Sequence, residues 1–167
     1  NMDAAQHAIQ ATSYEAASTY LQKGLELLPE KDWHYEREKG FLLCKMVAEV
    51  QYLLGLHEDA LSWMDKALLL ASNNLEKASI HNLKLIQQGL VGNYWNSIET
   101  AFTALELLGV SIDYRNPEKA IDKVFHELSS SVTLDNIAEV YHTPVIDDPE
   151  ISYALKIIAE IMSVTYA

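Results

Sequence analysis

Apolar residues return every three or four positions through long stretches of this chain, the spacing that gathers them on one face of an α-helix. Near the C-terminal end, for example, Ile151, Leu155, Ile158, Ile161 and Met162 follow this rhythm almost to the last residue. The alternation that marks strands is missing, and glycine and proline, 6 and 4 of 167 residues, interrupt the pattern rarely. Helix starts are signposted at Asn74 before Leu75, at Asn116-Pro117-Glu118 and at Asp148-Pro149-Glu150, where a capping side chain precedes proline or an acidic first turn. The pattern predicts an all-α chain with helices over residues 3–12, 14–28, 34–54, 57–72, 75–91, 94–108, 117–130, 134–142 and 149–166.

The helices carry an internal repeat. Laying His57 over Tyr14 aligns Ala60 with Ala17, Met64 with Leu21, Ala67 with Gly24 and Leu68 with Leu25. Laying Gly92 over Gly55 adds a third copy, in which Tyr94 matches His57, Ser97 matches Ala60, Ala101 matches Met64 and Ala104 matches Ala67. The offsets, 43 and 37 residues, suit a unit of two helices. Small residues at Ala17, Ala60 and Ser97, and again at Gly24, Ala67 and Ala104, let paired helices approach closely. Ala60 and Ala67 are therefore expected to face the first helix of their own unit, with Leu61 and Leu68 buried. Each hairpin alone leaves an apolar face open, so the copies are expected to stack into an α-solenoid of tandem antiparallel hairpins. The expected organisation is residues 1–110 as repeats, in units of about 1–29, 34–72 and 75–109, and residues 111–167 as post-repeat helices on the end of the stack. Residues 117–142 are expected to cover part of the last helix's apolar stripe, with further chain or a second copy covering the rest.

These positions resemble the tetratricopeptide repeat: glycine at the inter-helix turn (Gly55, Gly92), an aromatic residue or histidine at Tyr14, His57 and Tyr94, the small residues named above, and Pro29 closing the first unit. Thr12 stands where the first unit's turn glycine belongs, Gly109 replaces the third unit's closing proline, and the spacing exceeds the usual ~34 residues. Over nearly the whole chain, the order of Tyr20-Leu21-Gln22-Lys23-Gly24-Leu25-Glu26-Leu27-Leu28-Pro29, Trp33, Tyr52-Leu53-Leu54-Gly55 and Ala104-Leu105-Glu106-Leu107-Leu108-Gly109-Val110 resembles the helical region of large multidomain signal-transduction ATPases that carry protein-kinase, ATPase, GAF and histidine-kinase modules. Downstream, Ile137-Ala138-Glu139-Val140 and the segment from Asp147-Asp148-Pro149-Glu150 through Ala154-Leu155-Lys156-Ile157-Ile158 are similar to the end of that region. The resemblance implies a fragment linking an upstream ATPase to downstream sensor or output domains, with the family's catalytic residues outside it. The alternatives are a freestanding peptide-binding adaptor and a small-molecule sensor or phosphotransfer unit.

Charge narrows the partners. A formal net charge of −12 argues against nucleic acid, whose binding depends on clustered lysine and arginine. After Val124 only Lys156 is basic, against Glu127, Asp135, Glu139, Asp147, Asp148, Glu150 and Glu160. No apolar run reaches the roughly 18 residues of a membrane span, and no signal peptide is visible, so a cytoplasmic protein with no membrane association is expected. Asn1-Met2 and the untapered end at Ala167 fit engineered termini. The single cysteine, Cys44, sits among Phe41, Leu42, Leu43, Met46 and Val47 and reads as a small buried residue in a reducing compartment.

Catalytic signatures are absent: no phosphate loop, no dinucleotide glycine motif, no nucleophile elbow, no zinc-protease helix and no calcium loop. Phe125-His126-Glu127-Leu128 approaches a histidine-kinase phosphoacceptor box, but serines follow where a basic residue and proline belong. His57-Glu58-Asp59 are adjacent on a helix and point in different directions, so they do not chelate together. His7, His34, His81 and His142 lack helical partners of metal-binding spacing. No enzyme activity, cofactor or metal is expected. Trp33, Trp63 and Trp95 are expected to pack between hairpins. The expected function is protein interaction through a groove lined by first helices, with Lys45, Glu49, Tyr52, Ser79, Asn82 and Ile86 as candidate contacts, and with homodimerisation through the terminal helices as a further option.

Overall fold

In the computed structural model the described residues are 1–112, 116–131, 133, 138, 142 and 145–165, and among them there is no strand. Eight α-helices are described: α1 (Met2–Gln10), α2 (Tyr14–Leu27), α3 (Arg37–Leu53), α4 (His57–Leu70), α5 (Asn74–Leu90), α6 (Tyr94–Leu107), α7 (Pro117–Ser131) and α8 (Pro149–Thr165). The helix expected over 134–142 lies on residues outside those described, apart from isolated positions.

Helices α1 and α2, α3 and α4, and α5 and α6 pack as adjacent pairs, each joined by three residues. The turns share one construction. Thr12, Gly55 and Gly92 take left-handed φ angles of 55°, 79° and 80°. The residue after each donates its N–H to the carbonyl five residues back: Ser13 to Ala8 at 2.9 Å, Leu56 to Gln51 at 2.9 Å, and Asn93 to Gln88 at 2.8 Å. This is the Schellman closure, in which the left-handed residue lets the chain reverse while satisfying carbonyls that the helix end leaves open. The next helix then starts at once, with Ala17, Ala60 and Ser97 donating to Ser13, Leu56 and Asn93 in its first turn. Side-chain bonds fix the antiparallel sense. Arg37 at the start of α3 donates to the Leu70 carbonyl at the end of α4 (2.8 Å), and Ser97 at the start of α6 donates to the Leu85 carbonyl late in α5 (2.8 Å).

Packing follows the small residues. Ala17, Ala60, Ala67, Ser97 and Ala104 are all completely buried. One apolar cluster joins Ala5, Ala17 and Leu21 of the first pair to Leu43, Met46, Val47 and Val50 of α3. The other side of α3, through Phe41, Cys44 and Ala48, meets Ala60, Met64 and Ala67 of α4 and Ile80 of α5. The third cluster joins Ala78 and Leu85 of α5, Ala101, Ala104 and Leu105 of α6, and Ala154 and Ile157 of α8. Helices α3 and α5 are thus each sandwiched between neighbours on two faces.

Several expectations are corrected. The third helix begins at Arg37, not residue 34, because a 3-10 turn at Glu30–Asp32 carries Trp33 down onto α3. There Trp33 is buried, its indole N–H donates to the Leu28 carbonyl at 3.0 Å, and its ring lies where a side chain on Gly40 would collide at 3.1 Å. Leu61 is exposed, because one residue beyond Ala60 the helix has turned by about 100° away from α3. Leu68 is only partly buried, against the α3–α4 cluster. Trp95 is 80% exposed and does not pack between hairpins. The stripe expected on the last helix is displaced: Ala154 and Ile157 are buried and Ile158 and Ile161 pack beside them, whereas Ile151, Leu155 and Met162 face outward. Among the described residues its cover comes from α5 and α6, and Ile121, Val124 and Phe125 of α7 are exposed; most of the remainder of 117–142, expected to share in that cover, lies outside the described residues.

Candidate interaction surface

Lys45, Glu49 and Tyr52 follow one another at helical spacing along one face of α3, and Ser79, Asn82 and Ile86 do the same along α5. The two strips meet. Lys45 Nζ donates to Ser79 Oγ at 3.0 Å, and the Ser79 hydroxyl in turn donates to the Glu76 carbonyl at 2.8 Å. The start of α5 holds this end in place, since Asn73 accepts from the Glu76 N–H at 2.8 Å and the Glu76 carboxylate in turn binds the Ser72 hydroxyl at 2.9 Å.

The candidates differ in accessibility. Ser79 and Asn82 are 5% and 2% exposed, and Ile86 belongs to the cluster beneath α8. Direct contact with a partner is therefore left to Lys45, Glu49 and Tyr52, which are half-buried. Tyr52 packs its ring 5.7 Å from His57 across the turn, so His57 serves as the turn's ring residue. Asn82 keeps its Oδ1 buried without a hydrogen-bond partner among the described residues.

Helix α8 completes the surface with residues that sequence reasoning did not single out. Burial, foremost, holds the Lys45 ammonium below the usual lysine value; Glu49 opposes this and Lys156 of α8 adds to it. Burial also raises the Tyr153 phenol, helped by Glu160 and by Glu49 of α3. Lys156 lies over the Tyr153 ring at 5.5 Å. Tyr153 and Lys156 stand beside the buried Ala154 and Ile157, and the one signal in the sequence was Lys156 as the single basic residue after Val124. The surface thus runs from α3 across α5 to α8, with an aromatic and a charged residue contributed by each of α3 and α8.

Cys44 is completely buried, and burial pushes its thiol up to about 12, so it stays protonated at neutral pH. His126 stands on the exposed helix α7, where Ser129 bonds the carbonyls of Phe125 and His126 instead of the imidazole. Among the described residues no group of three His, Cys, Asp or Glu side chains is placed to hold a metal ion, and no helix is long and apolar enough to cross a membrane. No family, no curated protein and no solved structure matches this chain.

Proposed function

We propose that this chain is a tetratricopeptide-like protein-interaction or intramolecular scaffold segment of a larger cytoplasmic signalling ATPase or kinase, without catalysis of its own. The observation that carries the reading is the Lys45–Ser79 bond, which joins successive first helices into one surface and leaves Lys45, Glu49 and Tyr52 along it. A row of aromatic and charged side chains presented by stacked hairpins suits a protein partner, because aromatic anchors supply contact area and the charges around them set specificity. The partner in this reading is a neighbouring domain of the same protein.

The test has two parts. The reading frame that encodes this chain should extend well beyond it and encode ATPase or sensor modules; a frame scarcely longer than this chain overturns the reading. Those modules, expressed separately, should bind the chain, and the triple variant K45E/E49K/Y52A should bind at least tenfold more weakly while melting normally. Equal binding by the variant places the contact elsewhere and overturns the assignment of this surface.

A further inference from the structure

The three turns that join the paired helices lie along one edge of the stack. Ile9 and Leu54, beside the first and second turns, pack against one apolar cluster, and Gln87, near the third turn, donates to the His57 carbonyl just past the second at 2.9 Å. This edge has a composition that hairpin packing does not require. Charged residues make up 22% of the chain, yet residues 4–14, 50–57 and 85–98, which hold the three turns, contain none. At the other edge, the stretch from the end of α2 to the start of α3 carries eight over residues 26–39.

Along the neutral edge the second and third turns expose Leu53, Leu56, Leu90, Val91, Tyr94 and Trp95. Leu90 and Trp95 are 72% and 80% exposed, so neither gains much from the fold. A single apolar side chain in water is ordinary on a protein surface, but a contiguous apolar patch marks a place where something binds. Here four of the six side chains fall within the third turn and its flanks, and no charged residue stands among them.

We propose that this edge joins two copies of the chain, paired about a two-fold axis that passes near the third turn. Charge selects the partner. Each copy carries a formal net charge of −12, so two copies repel over most of their surfaces, and the neutral edge lets them meet without direct contact between like charges. A two-fold axis sets the patch against itself, giving an apolar, aromatic centre depleted in charge, with Glu15, Glu58 and Asp59 at the starts of α2 and α4 left on a solvated rim. The same net charge disfavours an anionic lipid surface, and a strongly charged protein finds no counter-charge on this edge. The contact uses neither Lys45, Glu49, Tyr153 and Lys156 nor the terminal helices, so it stands or falls independently of the function proposed above.

Sedimentation velocity on the full chain from about 1 to 100 μM should show a monomer–dimer equilibrium. Raising sodium chloride from about 50 to 500 mM should tighten it, since salt screens the repulsion between copies and leaves the apolar contact in place. Leu90→Glu and Trp95→Glu each set a carboxylate near its symmetry mate and should weaken the dimer at least tenfold. Both sites are exposed, so melting at concentrations where wild type is monomeric should not change. Leu69→Glu, at a position 87% exposed near the far end of α4, should leave the dimer as it is. A monomer throughout the range, a dimer that salt dissociates, or a dimer that L69E weakens as much as W95E would overturn the proposal. So would a monomer that binds phosphatidylcholine vesicles and loses that binding in W95E, a result that assigns the edge to lipid.

Discussion

Thr12 and Gly55 occupy the same place in successive hairpins, each in the left-handed region at φ 55° and 79°, yet only glycine adopts that conformation freely. A β-branched residue held there carries strain of about 1–2 kcal/mol. Thr12 is exposed, so its side chain contributes no packing in return. Thr12→Gly is expected to stabilise the fold by about 0.5–1 kcal/mol, the relief of strain exceeding the added freedom of glycine in the unfolded chain. Urea denaturation compares the two directly, and a less stable T12G would mean that the threonine makes a contact worth more than its strain.

Ala67 is completely buried between α4 and its neighbours. Exposed positions tolerate large side chains, but here the three carbons that leucine adds to the alanine methyl have nowhere to go. Ala67→Leu is expected to lower stability by about 1–3 kcal/mol through overpacking. Leu69, two residues on and 87% exposed, provides the control: Leu69→Ala should change stability by less than about 0.5 kcal/mol. Equal melting temperatures for wild type and A67L would contradict the close approach of these helices.

The spacing of small residues made the helix pairs readable from sequence, because a close helix contact demands alanine, glycine or serine at fixed intervals and little else satisfies it. The turns were readable for a similar reason, with Gly55 and Gly92 marking left-handed positions and Thr12 falling in register with them. Helix faces beyond the pair contact were harder. Leu61 and Leu155 look like core residues by hydrophobicity, but which stripe of a helix is covered depends on where the next helix lands, a tertiary matter. The candidate surface shows the same limit: Ser79, Asn82 and Ile86 share a face with accessible residues in sequence, yet Ser79 and Asn82 are buried and Ile86 is partly covered by a cluster that includes a helix about 70 residues downstream. The start of α3 at Arg37 was not legible because it depends on Trp33 seating against Gly40, seven residues on.

The Lys45 ammonium is held below its usual value chiefly by burial. A lysine whose folded value is depressed binds fewer protons when folded than when unfolded, so it penalises the fold at neutral pH. That penalty is relieved as pH rises through the folded value toward 10.5. The difference in stability between wild type and K45M should therefore shift in favour of wild type as pH rises from 7 toward 10.5. Chemical denaturation at several pH values measures this, and a difference independent of pH would show that Lys45 is as well solvated folded as unfolded.

Cys44 is completely buried, with its thiol pushed up to about 12. At pH 8 it should react with a thiol reagent at least a hundredfold more slowly in the native protein than in the protein unfolded in urea, since both access and the thiolate fraction are suppressed. Rapid native labelling would indicate local opening of α3 away from α4.

The docking of α8 decides whether the surface across α3, α5 and α8 exists in solution, because Tyr153 and Lys156 reach it only if α8 packs on α5 and α6. Ile157 is completely buried in that contact, together with Ala154, whereas Leu155 is 51% exposed on the same helix. Removing the Ile157 side chain deletes buried carbons and leaves a cavity, so Ile157→Ala should cost about 2–5 kcal/mol if α8 unfolds together with the hairpins. Leu155→Ala removes a similar number of carbons from a half-solvated site and should cost less than about 1 kcal/mol. The contrast matters more than either value, since it depends on which face of α8 is turned inward and not on helix propensity. If α8 is docked, I157A should also raise amide exchange along α8 before it affects α1 and α2, the pair farthest from it in the chain. Equal and small effects of the two substitutions would mean that α8 is detached in solution, and Tyr153 and Lys156 would then have to be removed from the interaction surface.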